Sequence, residues 1–137
     1  MEAMMPEAPD FPGAADVVRW FGYWPTFHDA EVLSIRFDRE SGCKVAIYTF
    51  ESGPDTDAAG FYVRRKDAVV TFSMEGFAPD NQNRVESFNG GNVLFGARVH
   101  HRPDGYELEL DGCFGVEGSI VCERMSVTIE KRAVGHR

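Results

Sequence analysis

The run Glu31-Val32-Leu33-Ser34-Ile35-Arg36-Phe37-Asp38, continued by Arg39-Glu40-Ser41-Gly42 and Cys43-Lys44-Val45-Ala46-Ile47-Tyr48-Thr49-Phe50, decides the fold. Leu33, Ile35 and Phe37 share one parity while Ser34, Arg36 and Asp38 share the other, and that period of two places alternate side chains on opposite faces of a strand. Glu40, Ser41 and Gly42 supply a turn, after which Val45 and Ile47 resume the alternation. A hairpin of two antiparallel strands is therefore predicted over residues 31–38 and 44–50.

Working outward from the hairpin, Ala14, Val17, Val18 and Phe21 fit one apolar helical face, and Gly22 stands where a left-handed stop belongs. A short helix over residues 14–21 follows. Before it, Pro6, Pro9, Pro12 and Gly13 predict an extended, mobile lead-in over residues 1–13. Residues 52–60 combine Gly, Pro, Asp and Thr without an apolar repeat and read as a carboxylate-rich loop, followed by a brief strand over 61–63 and a fuller one over 68–77. The polar stretch 78–92 predicts turns around a weak strand or helical turn at 84–88. Residues 93–102, 105–114 and 118–131 read as three more strands, the first two joined at Pro103-Asp104-Gly105. In the last of them Ile120 and Cys122 share one parity and Met125, Val127 and Ile129 the other, which predicts a bulge near Glu123 and Arg124.

Consecutive strands with short turns and no useful intervening helix imply a mainly β (α+β) fold of about six strands. The expected architecture is an antiparallel meander forming a curved sheet or open barrel, with the short N-terminal helix closing one end. The 137 residues suit a single domain, with its folded core over 14–131. No apolar run reaches the roughly 20 residues that span a bilayer, and the N-terminal stretch has neither a basic start nor an apolar middle, so a cytoplasmic protein is expected. Cys43, Cys113 and Cys122 are odd in number and lack metal spacing, which predicts reduced thiols rather than a disulfide framework.

The formal charge is −8, against nucleic acid and against an anionic membrane, both of which need clustered Lys and Arg. The charge is uneven: residues 1–60 hold eleven acids against four bases, while residues 61–137 hold eleven acids against ten bases. Acidity of this kind serves solubility or draws a basic partner.

Two constellations stand out. Trp24-Pro25-Thr26-Phe27-His28-Asp29-Ala30-Glu31 gathers an imidazole and two carboxylates, residue types that suit a divalent ion or proton transfer. Neighbouring side chains on extended backbone point apart, however, so the bland reading is a buried corner in which Trp24 and Phe27 pack while Thr26 and Asp29 bond backbone amides. Trp24, Pro25, Phe27, His28, Asp29 and Glu31 are on that reading a structural motif. His100 and His101 obey the same alternation, so only one of them can join a common face. No nucleophile elbow, phosphate loop or metal-binding helix is present, which predicts a protein without catalytic residues, resident metal or cofactor. The row Glu107, Glu109 and Asp111 does share one side of a strand, and its repulsion calls for pairing with Arg98, Arg102 or Arg124. Such a row is either a solvated outer face or an anionic patch for a basic partner.

At Tyr23-Trp24-Pro25-Thr26-Phe27-His28-Asp29-Ala30-Glu31-Val32, followed by an alternating strand, the chain resembles the immunity protein 50 family and related bacterial proteins. Gly91-Asn92-Val93-Leu94-Phe95-Gly96 and Gly115-Val116-Glu117-Gly118-Ser119-Ile120 are similar to it too, so that the resemblance spans roughly residues 15–131. It implies an antidote protein of a bacterial polymorphic toxin system, one that binds and neutralises a cognate toxin. No catalytic residue carries over. Combined with the charge, this points to a basic toxin as partner, with Glu51, Asp55, Asp57, Glu107, Glu109 and Asp111 as contacts and Tyr48 or Tyr62 as aromatic anchors. Two alternatives stand beside it: a small-molecule or metal-binding module or enzyme centred on His28, Asp29 and Glu31, and a homodimer or larger scaffold joined through a strand edge.

Overall fold

The hairpin forms where the alternation puts it. In the computed structural model, which describes residues 8–38, 40–56, 62–77 and 84–131, α1 (Ala14–Phe21) is followed by β1 (Glu31–Asp38) and β2 (Gly42–Thr56). The two strands pair antiparallel from Glu31↔Tyr48 to Asp38↔Gly42. Gly42 closes the turn at φ 98°, a left-handed conformation that carries no steric penalty without a Cβ. Asp38 accepts the amides of Ser41 (3.0 Å) and Glu40 (2.8 Å), and those two bonds hold its carboxyl below the usual carboxylate range.

The face assignment of β1 needs a correction. Its register steps between Val32 and Ser34, so Val32 is buried opposite Ile47 while Leu33 is 44% exposed. One extra residue in the strand reverses the parity that Leu33 shares with Ile35 in the sequence.

The chain continues through β3 (Tyr62–Phe77), β4 (Arg84–Glu86), β5 (Val93–Arg102), β6 (Gly105–Phe114) and β7 (Glu117–Lys131). All pairings are antiparallel, in the order β3-β2-β1-β5-β6-β7-β4, and a further ladder joins β3 to β7. The seven-stranded sheet thus curls into a ring, with β4 attached, among the described residues, to β7 alone, and the fold is mainly β as the periodicity predicts. It is not a closed barrel, because β1 and β5 share a single ladder pair, Glu31↔Val93.

Three further expectations are revised. Residues 52–56 extend β2 rather than opening a loop, and the strand expected at 61–63 belongs to β3 from Tyr62 onward. Both strands lengthen because each supplies the other with a ladder partner, for example Ser52↔Arg64 and Thr56↔Tyr62. The lead-in is anchored at its end: Phe11 is buried edge-on against Trp24 and Tyr106, and Pro12 accepts the Val127 amide at 3.0 Å. Residues 1–7 lie outside the described part. In β7, Glu123 and Arg124 are successively exposed between buried Cys122 and Met125, yet the ladder to β3 keeps its register from Cys122↔Phe77 to Arg124↔Glu75. Both strands change phase together. Gly76, at φ 73° and with no room for a Cβ beside the Glu123 side chain, supplies the bend in place of an extra residue.

Inside the ring, Trp24, Phe27 and Phe72 meet edge to face with centroids 5.9 to 6.1 Å apart, and Val45, Ile47, Leu94, Leu108 and Ile120 are fully buried around them. Each such side chain contributes about 1.5 to 3 kcal/mol on leaving water. α1 lies against β7 and β3 with Ala14, Val17 and Phe21 buried. Its C-terminal turn is tied to an irregularity in β3: Trp20 Nε1 donates to the Lys66 carbonyl (2.9 Å) and Lys66 Nζ donates to the Phe21 carbonyl (3.2 Å), with Lys66 itself at φ 57°. The next residue, Asp67, is 3% exposed and accepts the Tyr48 hydroxyl at 2.7 Å through Oδ2, while its Oδ1 has no hydrogen-bond partner among the described residues.

Candidate acidic interface

Period-two spacing on β6 sends Leu108 and Leu110 into the core and Glu107, Glu109 and Asp111 to the outside. The neighbouring strands complete the surface. On β5, Arg98, His100 and Arg102 share a parity and meet the acidic row. Glu109 accepts His100 Nε2 at 2.8 Å and Arg98 Nε at 3.3 Å, Arg98 Nη2 reaches Asp111 at 3.5 Å, and Arg102 Nη1 reaches Glu107 at 3.0 Å. The His100 bond first, and Arg98 second, hold the Glu109 carboxyl below its ordinary range. Of the three arginines expected to neutralise the row, Arg98 and Arg102 do so; Arg124 instead pairs with Glu75 at 3.0 Å.

On the other side of β6 further carboxylates gather. The ladder sets Glu86 of β4 directly opposite Glu117 of β7. Glu86, Glu107, Glu109, Asp111 and Glu117, with Ser119, line one open groove of about 330 Å³. Five carboxylates therefore share a concave surface with two guanidinium groups on its β5 flank. Glu86 and Glu117 escaped sequence reasoning because they reach the groove only through the β4–β7 pairing, which joins residues more than thirty positions apart.

The remaining expected contacts do not join this groove. Glu51 is half-buried near the end of α1, where Oε2 accepts the Tyr23 hydroxyl at 2.9 Å and Oε1 lies 3.8 Å from Lys66 Nζ. Burial and this carboxylate push the Tyr23 phenol up to about 12. Asp55 falls on the β2 backbone, and Asp57 lies outside the described residues. The hydroxyl of Tyr48 is spent on Asp67, and Tyr62 opens β3.

The Phe-His-Asp-Ala-Glu segment does something different: it runs along β5 and forms the seam of the ring. The Thr26 carbonyl accepts Ala97 N–H (3.0 Å), Asp29 N–H donates to Leu94 (2.9 Å), Ala30 accepts Leu94 N–H (2.9 Å), and Val32 N–H donates to Asn92 (2.8 Å). Trp24, Pro25 and Phe27 are buried, as a packing corner requires, and Thr26 Oγ1 accepts the His28 amide at 3.4 Å. Phe27 and Asp29 both sit at φ 65°, costly for a bulky residue such as Phe. That turn exposes His28 and Asp29 side by side, with His28 Nδ1 3.0 Å from the Phe95 carbonyl and Nε2 3.7 Å from Asp29 Oδ1. Glu31 is half-buried and bridges β2 and β5. His100 stays on the acidic face, while His101 turns to Tyr106 and Asp10. Among the described residues no three His, Cys, Asp or Glu side chains gather to hold a metal ion.

No family model, no curated protein and no solved structure matches the chain. Among the described residues, no helix is long and apolar enough to cross a membrane.

Proposed function

We propose that this chain is an immunity-type binding protein, which neutralises a cognate toxin by covering a basic surface of it. The observation that carries the reading is the groove on β6, where five carboxylates, Glu86 and Glu117 among them, converge on one concave face. An acidic concave face favours encounter with a cation-bearing partner. The resemblance of the Tyr23–Val32 segment and the overall charge of −8 point the same way. Inhibition on this reading is stoichiometric and needs no turnover: Glu107, Glu109, Asp111, Glu86 and Glu117 pair with Lys and Arg of the toxin. A stable complex of this type buries on the order of 1,200 to 2,000 Å² in total.

The test is co-expression with the product of the neighbouring reading frame. Rescue of growth by this chain, co-purification of the two proteins at one to one, and loss of both on Glu86→Lys/Glu117→Lys are the expected results. A neighbour that is harmless by itself, or that is not retained by this chain, would rule the reading out.

A further inference from the structure

Four of the five large apolar side chains exposed among the described residues, Leu33, Phe88, Phe95 and Phe114, belong to one corner of the ring or to the segment leading into it. The ladder aligns Glu31, Val93 and Phe114 in a row across β1, β5 and β6. Because β1 and β5 are antiparallel, Leu33 and Phe95 stand two residues from that row on opposite sides of it, so the exposed apolar side chains flank Val93. Both lie where the register breaks, Leu33 between Val32 and Ser34 and Phe95 between Leu94 and Gly96, so the irregularities turn out side chains whose neighbours Val32 and Leu94 are buried. Phe114 is 63% exposed and Phe95 55% exposed, and a Cβ built on Gly91 would lie 3.7 Å from the Phe114 ring. Apolar groups set out together in water mark a contact surface.

We propose that Leu33, Phe95 and Phe114 form the apolar anchor of a docking surface for a basic protein partner, with Asp29, Asp111 and Glu117 as its charged rim. Asp111 lies opposite Gly96 on the next strand, Asp29 donates its amide to Leu94, and Glu117 lies beside Gly112. The acidic rim disfavours a second copy of this chain as the occupant, because a face-to-face contact would bring two surfaces of like net charge together. A partner with Lys and Arg around an apolar recess fits both features. The inference rests on the reading of this chain as a binder of a basic toxin and locates the face: the corner anchors and the groove attracts.

Three synthetic peptides test it: one alternating Arg and Leu, one with Glu in place of Arg, and one alternating Arg and Gly. Each is titrated into the ¹⁵N-labelled full chain. The Arg-Leu peptide should bind in preference to both others, with the largest amide shifts at Leu33, Phe95 and Phe114. Phe95→Ser and Phe114→Ser should each weaken it by about tenfold or more, with unchanged thermal unfolding, whereas Glu130→Gln, which removes a charge elsewhere on β7, should not. Shifts centred elsewhere, equal binding of the Glu peptide, or full affinity in both folded variants would overturn the proposal. So would a dimer in light scattering that Phe95→Ser dissolves, since the occupant would then be a second copy. The two readings fail separately. Peptide binding at the corner without rescue in co-expression removes the toxin but keeps the surface, and rescue that survives both Phe variants keeps the toxin but removes the corner.

Discussion

The wall made by β2, β3 and β7 and the seam between the Thr26–Val32 segment and β5 are both walls of the same ring, but they are built differently. In the wall, strands of 15 and 16 residues pair in long ladders, and β3 keeps one register against β7 from Ala68↔Lys131 to Phe77↔Cys122. The seam has one ladder pair, four scattered backbone bonds, a histidine bond to a carbonyl and two non-glycine residues in left-handed conformation. Repetition stabilises the first and individually placed residues the second. Truncation in the wall should therefore act through lost packing, and truncation in the seam through unmade hydrogen bonds.

The largest effect is expected at Phe72, fully buried on β3 against Trp24 and Phe27. Phe72→Ala should cost about 3 to 5 kcal/mol in urea unfolding. Where the seam ends, the decisive residue is Asn92, 2% exposed, whose backbone carbonyl accepts the Val32 amide. Its side chain holds the turn before β5, with Oδ1 accepting the amides of Asn89 (2.9 Å) and Val116 (3.1 Å) and Nδ2 donating to Asn89 (2.6 Å). Asn92→Ala strands the Val116 amide, and a loss of about 2 to 4 kcal/mol is expected because orphaned buried groups cost about 1 to 3 kcal/mol each. A cost below that of an ordinary surface change would mean that the turn supporting the seam is held by something other than these bonds.

His28→Ala should cost less than about 1 kcal/mol, since the side chain is exposed and its bond to Phe95 faces water. Its sharper signature lies in amide exchange: Asp29, Leu94 and Ala97 should exchange faster in the variant, while Val70 and Phe72 stay as they were. The smallest effect is at Glu109. Its carboxyl is lowered in the folded state, so the stabilisation is present above the ordinary carboxylate range and is lost as pH falls through the folded-state value. Solvent screening limits it to about 0.5 kcal/mol. Glu109→Gln should be slightly less stable than the parent at pH 7, and the difference should vanish once the pH has fallen below the folded-state value of the Glu109 carboxyl.

The same contrast explains what could be read from the sequence. α1 spans the residues its apolar spacing marks, and the hairpin, the Pro103-Asp104-Gly105 turn and the three last strands follow from period-two patterns and turn residues. Such signals are local, and the wall is made of them. The bulges at Leu33 and Phe95 have no local signature, because an extra residue is defined only against a partner strand. Glu107, Glu109 and Asp111 were legible as a row from their spacing, whereas Glu86 and Glu117 join it through a three-residue strand whose place depends on β7. Asn92 likewise looks like one more turn residue until its side chain is seen to span the 87–92 segment and Val116.

The cysteines divide along these lines as well. Cys43 and Cys122 are buried, and burial pushes their thiols up to about 12 and about 11, while Cys113 is exposed beside Phe114. Thiolate is the species that reacts with maleimides, so labelling at neutral pH is directed to one position without any engineered substitution. A fluorophore attached there would sit on the very corner where a partner is proposed to land, turning the native chain into its own optical reporter of occupancy.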